Sequence, residues 1–297
     1  MANAPSDHVV WNGMTQAELD AAYDQAAYAA NLQQIVSRWG VLSEDIRARL
    51  GPPTRHAYGP GANEALDVYP ATRPNAPINL FVHGGAWRSR KAHDSAIAAE
   101  AFVSADACFV VIDFDWVQDR DGDLMPIAEQ TRQAIAWTWR NAERLGGDPD
   151  RLFVSAHSSG AHMAAVALTT DWPTAHDVPA DIVKGAVLCS GIYDLAPVRL
   201  SARSGYVAFT DESVEALSPM RHVARIPCPV VVAHGTLDTP EFQRQSQELA
   251  DALRTRGHPC QYLVGAHYNH FEILETLANP LGLLGRAALA QMGLAAP

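Results

Sequence analysis

The sequence has no run of basic residues and no lysine–arginine stripe, and its formal net charge is −11. Nucleic-acid binding needs a cationic footprint, so that class of partner is excluded. No apolar stretch approaches the roughly 20 residues that cross a bilayer. The opening stretch MANAPSDHVV has neither a basic start nor an apolar run of the secretory kind. The expectation is a cytoplasmic protein without membrane contact. Cysteine is scarce too: Cys108, Cys189, Cys228 and Cys260, with no C-x-x-C pair. Buried free thiols in a reducing compartment are expected rather than a disulfide framework. Internal repeats, low-complexity segments and a second domain boundary are also missing.

What is present is 297 residues, 48% of them hydrophobic, enough for one large α/β domain or for two smaller ones. Residues 1–13 read as an extended lead-in. Thr15 and Glu18 have capping-box spacing, and Leu19, Ala22, Tyr23, Ala26, Ala27 and Ala30 follow at helical intervals. Helices are expected up to the Gly51-Pro52-Pro53 break. This extension, about 1–52, either packs on a sheet edge or caps a site, with Tyr23 and Tyr28 as its candidate lining residues. From about 60 to 297, short apolar runs at 65–69, 78–82, 108–112, 152–154, 183–188, 229–233 and 261–264 alternate with helical patterns. Helices are expected at 126–145, from 161, and over 241–256, 271–277 and 281–292. Such alternation predicts an α/β fold, a mostly parallel central sheet with helices on both faces, as a single domain over 1–297.

The stretch 151–162, RLFVSAHSSGAH, organises the rest. An apolar strand enters an abrupt turn, Ala156-His157-Ser158-Ser159-Gly160, and leaves as a helix. A serine at the tip of a strand–turn–helix elbow has its hydroxyl lifted clear of the sheet edge, ready to act as a nucleophile. The competing reading is a serine that only caps the helix. In parallel sheets, function sits beyond the carboxyl ends of the strands. Four stretches carry polar residues there: 83–87 (HGGAW), 157–160, Asp238 and 267–270. Their order permits a triad in which Ser158 attacks a carbonyl, His270 moves the proton and Asp238 orients the imidazole. Backbone N–H groups of Gly84, Gly85 and Ser159 would receive the oxyanion, on the order of 3 kcal/mol per donor. Asp194 also follows a strand and competes with Asp238, though the later strand favours Asp238; His267 competes with His270. No ligand cluster supports zinc at the two histidines. The acidic loop 119–123 has its glycine two positions early for a calcium loop and Gln130 at the twelfth position, so it reads as a solvated loop. His157 and His162 flank the elbow as its environment.

On these residues the chain resembles the α/β-hydrolase superfamily, and within it the kynurenine formamidase (arylformamidase)-like esterases. The stretch 83–87 is similar to the family's HGGxW motif, 238–246 (DTPEFQRQS) to its D-x-P-E-F-x-R-Q-S region, and 270–273 (HFEI) to its HF[DE]I region. The last two favour Asp238 over Asp194 and His270 over His267. Ala156 stands where glycine is usual, Ser159 where alanine is common, and Ala86 where the formamidases often have tyrosine. The resemblance implies hydrolysis of small N-formyl arylamines or aryl and short-chain esters through an acyl-serine, without metal or organic cofactor. The partner is then a small-molecule ester or amide, and a homodimer is left open. Trp87, Tyr193, Tyr206 and His157 are the expected substrate-binding residues. A general carboxylesterase with another natural substrate, or a non-catalytic binding protein on the same fold, are the competing functions.

Overall fold

The computed structural model describes residues 8–294. Residues 1–7 of the expected lead-in lie outside it. A hairpin of β1 (Val9–Trp11) and β2 (Met14–Thr15) replaces the rest of that lead-in. Thr15 then caps α1 (Gln16–Ala22) through the expected box with Glu18, and α2 (Leu32–Leu50) follows. The extension is thus helical only after a hairpin. The hairpin escaped notice because two and three residues are too short for a period.

The central sheet is built from β3 (Thr54–Ala57), β4 (Ala65–Tyr69), β5 (Ala76–Val82), β6 (Cys108–Ile112), β7 (Gly147–His157), β8 (Gly185–Cys189), β9 (Val230–Gly235) and β10 (Cys260–Gly265). Their spatial order is β10-β9-β8-β7-β5-β6-β4-β3. Pairing is parallel except around β4, which runs against both β3 and β6. Strands β4, β5, β6, β8 and β9 are buried along their whole length, as a sheet covered on both faces requires. Only the polar edge strand β3, TRHA, had no apolar signal in the sequence.

Helices α3 (Ala99–Ser104), α4 (Met125–Arg140) and α5 (Ser159–Leu168) lie on the two sheet faces with the later α9 (Pro240–Thr255), and two apolar clusters fill the layers. The expected helix 126–145 ends early, at Arg140; a turn capped by Gly146 at φ +81° carries the chain into β7. Short helices α6 (Trp172–His176), α7 (Leu195–Val198) and α8 (Asp211–Ala216) occupy the irregular region after the elbow. Helices α10 (Glu272–Glu275) and α11 (Leu283–Gln291) close the fold.

Helix α5 is buried all round, so it runs through the centre of the protein. Its start is held by contact with the sheet. A methyl group at Gly160 would overlap the carbonyl oxygens of Val82 and His83, which are backbone and cannot swing away. Gly160→Ala should therefore cost about 3 kcal/mol of unfolding free energy, the upper range for overpacking. Urea melts check this; a loss below about 1 kcal/mol would show that α5 can shift.

Candidate active site

The carboxyl ends of β5, β7, β8, β9 and β10 meet on one side of the sheet, and the loops beyond them carry the polar groups. Ser158 sits between β7 and α5 with φ +58° and ψ −127°, a conformation unfavourable for a residue with a side chain. This is the strained elbow expected from the sequence. Its hydroxyl lies 2.8 Å from His270 Nε2, and His270 Nδ1 lies 2.8 Å from Asp238 Oδ1. A carboxylate only accepts, so Nδ1 carries the proton and Nε2 is left as the acceptor facing the serine. The second carboxylate oxygen of Asp238 accepts from Ser190 Oγ at 2.7 Å and from the Gly235 N–H at 3.0 Å. Burial raises the Asp238 carboxyl pKa, but the adjoining His270 and these donors outweigh it and hold the group below the usual carboxylate range.

The rivals are placed elsewhere. Asp194 caps α7 by accepting from the Ala196 N–H. His267 is exposed, with φ +65°. Ser190 was missed in the sequence, although it follows β8 at the same sheet end and strand-end reasoning reaches it.

The loop after β5 turns sharply: Gly85, Ala86 and Trp87 all have positive φ. Gly84 packs against Ser158, where a methyl would come within 2.9 Å of its Cβ. The N–H groups of Gly84, Gly85 and Ser159 meet no protein acceptor among the described residues. They are free to donate, and Gly84 and Ser159 lie beside Ser158, one in contact and one next in sequence.

Two expected substrate contacts are corrected. Trp87 is 1% exposed and off the cavity wall; its indole N–H donates to His162 Nδ1 at 3.2 Å. Tyr193 is fully buried in the core cluster. Both follow strand ends, as binding residues do, but their rings fold back into the hydrophobic layers. Tyr206 does line the cavity, beneath the Arg88 guanidinium. His157 lines it too, and its Nε2–H donates to the His270 carbonyl at 2.7 Å.

The cavity over Ser158 holds about 850 Å³. The N-terminal segment covers it: Tyr23, Gln25, Val36 and Trp39 are on its wall, whereas Tyr28 is exposed and elsewhere. Aromatic Phe81, Trp39 and Phe271 were not singled out from sequence; Trp39 lies in an ordinary apolar helix stripe and carries no separate signal. The same segment grips the loops that carry Asp238 and His270. Tyr23 Oη donates to buried Glu241 at 2.7 Å, and Gln25 bonds Thr239, next to Asp238. Asn31 donates to Glu272 at 2.6 Å and accepts from Asn269, next to His270. Among the described residues no group of three His, Cys, Asp or Glu is placed to hold a metal ion. No helix among them is long and apolar enough to cross a membrane.

Two buried histidines flank the elbow. Burial, then the neighbouring His270, pushes the His157 pKa down to about 3, and burial pushes His162 down to about 4. Both stay neutral in the fold, while an unfolded chain protonates histidine near pH ~6.5. The unfolded state therefore binds more protons below that pH, and stability falls as pH drops from about 6.5 toward 4. Two such groups give a slope of roughly 2.7 kcal/mol per pH unit at most. Urea melts across this window should show His162→Asn losing about half of that histidine slope; an undiminished slope would contradict a neutral His162.

An eight-stranded sheet with β4 reversed, a strained serine elbow and functional groups at the strand ends define an α/β-hydrolase. Solved structures agree on the fold. A Silicibacter sp. chain described as a candidate thioesterase superposes with TM-score 0.80 at 22% identity, covering 91% of this chain and 98% of that one. The metagenomic carboxylesterase EstE1 gives 0.70 at 18%, covering 88% and 95%. Residues 66–253 match the BD-FAE family model, and the chain belongs to that family. Kynurenine formamidase of Danio rerio is 30% identical over 95% of this chain and 98% of its own, and that of Salmo salar is 30% identical with the same coverage. Esterase LipQ of Mycobacterium tuberculosis is 27% identical over 70% of this chain and 55% of its own. The protein is a hydrolase of the amidase/esterase type.

Proposed function

We propose that the protein is a serine hydrolase that cleaves small N-formyl arylamines or aryl and short-chain esters through an acyl-serine. The observation that carries this reading is the unbroken line Asp238–His270–Ser158, with two 2.8 Å bonds, opening on an aromatic-walled cavity. Ser158 Oγ attacks the carbonyl carbon as His270 Nε2 takes its proton. The free N–H groups of Gly84, Gly85 and Ser159 stabilise the oxyanion. Collapse of the tetrahedral intermediate expels the amine or alcohol, which receives the proton from His270. Water, deprotonated by His270, then releases the acid and restores Ser158. Asp238 holds the imidazole tautomer and offsets its charge in the transition state. The kynurenine formamidase relatives support a formyl acyl group with an aromatic leaving group.

A general carboxylesterase is the second reading, favoured by Ala86. Its small side chain on the cavity wall leaves room for a longer acyl chain. The test is turnover of N-formylkynurenine beside p-nitrophenyl acetate and butyrate. Formamide cleavage with kcat/KM above about 10⁴ M⁻¹s⁻¹ upholds the first reading. Turnover of esters alone moves the assignment to the second. A folded protein that turns over none of them and resists a fluorophosphonate at Ser158 refutes both.

A further inference from the structure

Arg90 plays no part in the chemistry above, yet it is built into the cavity wall. Its φ is +71°, a strained conformation that persists only where the surroundings impose it. One constraint is visible: the Trp116 indole N–H donates to the Arg90 carbonyl at 2.9 Å. The side chain lies along the cavity, its guanidinium 4.5 Å from the centroid of the Trp39 ring. Desolvation there lowers its pKa. Arginines 55, 120 and 244 each meet a carboxylate. Arg90 meets none at ion-pair distance among the described residues; Asp94, also on the wall, acts on it only through space.

The other two wall arginines differ. Arg203 gives one Nη to Tyr206 Oη and the other to the Tyr23 carbonyl. Arg88 is solvent-exposed above Tyr206. Only Arg90 combines partial burial, an aromatic platform and an unused fork of donors. A guanidinium withdrawn from water without a partner is costly, and a planar carboxylate is the group that fits its fork. The position is within reach of the chemistry: Trp39 packs edge-on to His157 at 6.3 Å between centroids, and His157 lies 4.7 Å from His270. Phe271, 6.2 Å from Trp39, adds a second aromatic wall.

We propose that Arg90, stacked on Trp39, is a specificity-determining subsite that receives a carboxylate carried by the aromatic leaving group of the substrate. This rests on the serine-hydrolase reading. Asp94, beside it, disfavours a second negative charge on that group.

The test uses matched pairs in which only the charge differs: the 2-, 3- and 4-formamidobenzoates and acetoxybenzoates against their neutral carboxamides. For at least one ring position the wild type should prefer the acid by about 10-fold or more in kcat/KM. Arg90→Gln should lower that acid-to-amide ratio about 30-fold, with Arg90→Lys falling between the two. Benzoate should inhibit neutral-ester turnover competitively, with a Ki that rises about as much in Arg90→Gln. That second reading needs no folded-state assumption beyond residual ester turnover. Equal or inverted preference at every position in the wild type overturns the subsite, as does a preference that survives Arg90→Gln. Failure to cleave even the neutral compounds strikes the hydrolase reading itself, and the two failures are thereby told apart.

Discussion

Ser158→Ala is expected to slow turnover of p-nitrophenyl acetate roughly 10⁴- to 10⁶-fold while leaving the fold in place. Among the described residues the oxygen it removes is bonded to His270 alone. The Cβ that packs against Gly84 stays. Stability should accordingly move by less than about 1 kcal/mol, so loss of activity cannot be blamed on unfolding. Any remaining rate would come from the free N–H groups polarising a bound carbonyl for water. Ser159 is not placed to take over, because its hydroxyl accepts the Trp87 N–H at 3.2 Å while His270 Nε2 bonds Ser158. Steady-state kinetics and a urea melt on the same preparation settle the matter. A variant retaining more than about a hundredth of wild-type kcat would remove Ser158 from the reaction, since even a lost oxyanion donor costs that much.

The second large effect is expected from Asp238→Asn, a change of one atom at constant shape. Asp238 accepts on both sides: from His270 on one oxygen, and from Ser190 and the Gly235 N–H on the other. Asparagine has one accepting end and one donating end. If its NH₂ faces His270, the imidazole must turn to the other tautomer and present N–H to Ser158, where it is no base. If the NH₂ faces Gly235, two donors confront each other in a site that is 1% exposed. Either way kcat should fall roughly 10³- to 10⁴-fold. The first arrangement satisfies more bonds, so stability should drop by only about 1–2 kcal/mol. Wild-type kcat in this variant would return Asp194 to consideration.

Much of this arrangement is legible in the sequence, and what is legible has a local cause. Buried strands announce themselves as unbroken apolar runs; Asp238 lies three residues after one of them, β9, and His270 five residues after the half-exposed edge strand β10. The elbow is readable because strand, turn and helix are contiguous in eleven residues of β7 and ten of α5. The aromatic lining is a different case. Trp87 and Tyr193 stand where binding residues stand, but whether a ring turns outward or inward is decided by partners far away, such as His162 for Trp87. Trp39 is the converse: a core-like helix position that becomes a cavity wall because α2 crosses over the strand ends. Arg90 is invisible for the same reason, since its lack of a partner is a fact about three dimensions.

The bonds from the N-terminal segment to the loops bearing Asp238 and His270 also bear on how the chain comes to be active. Tyr23 reaches Glu241, and Asn31 reaches Glu272, across separations of 218 and 241 residues. Contacts so distant along the chain are expected to close late, because the entropy of a long loop must be overcome before they repay it. On the ribosome the first thirty residues emerge early and must wait for nearly all the others. The sheet and its elbow can form while the cavity is still roofless and the loops bearing Asp238 and His270 are untied. Hydrolysis is therefore expected to be among the last properties this protein acquires as it folds.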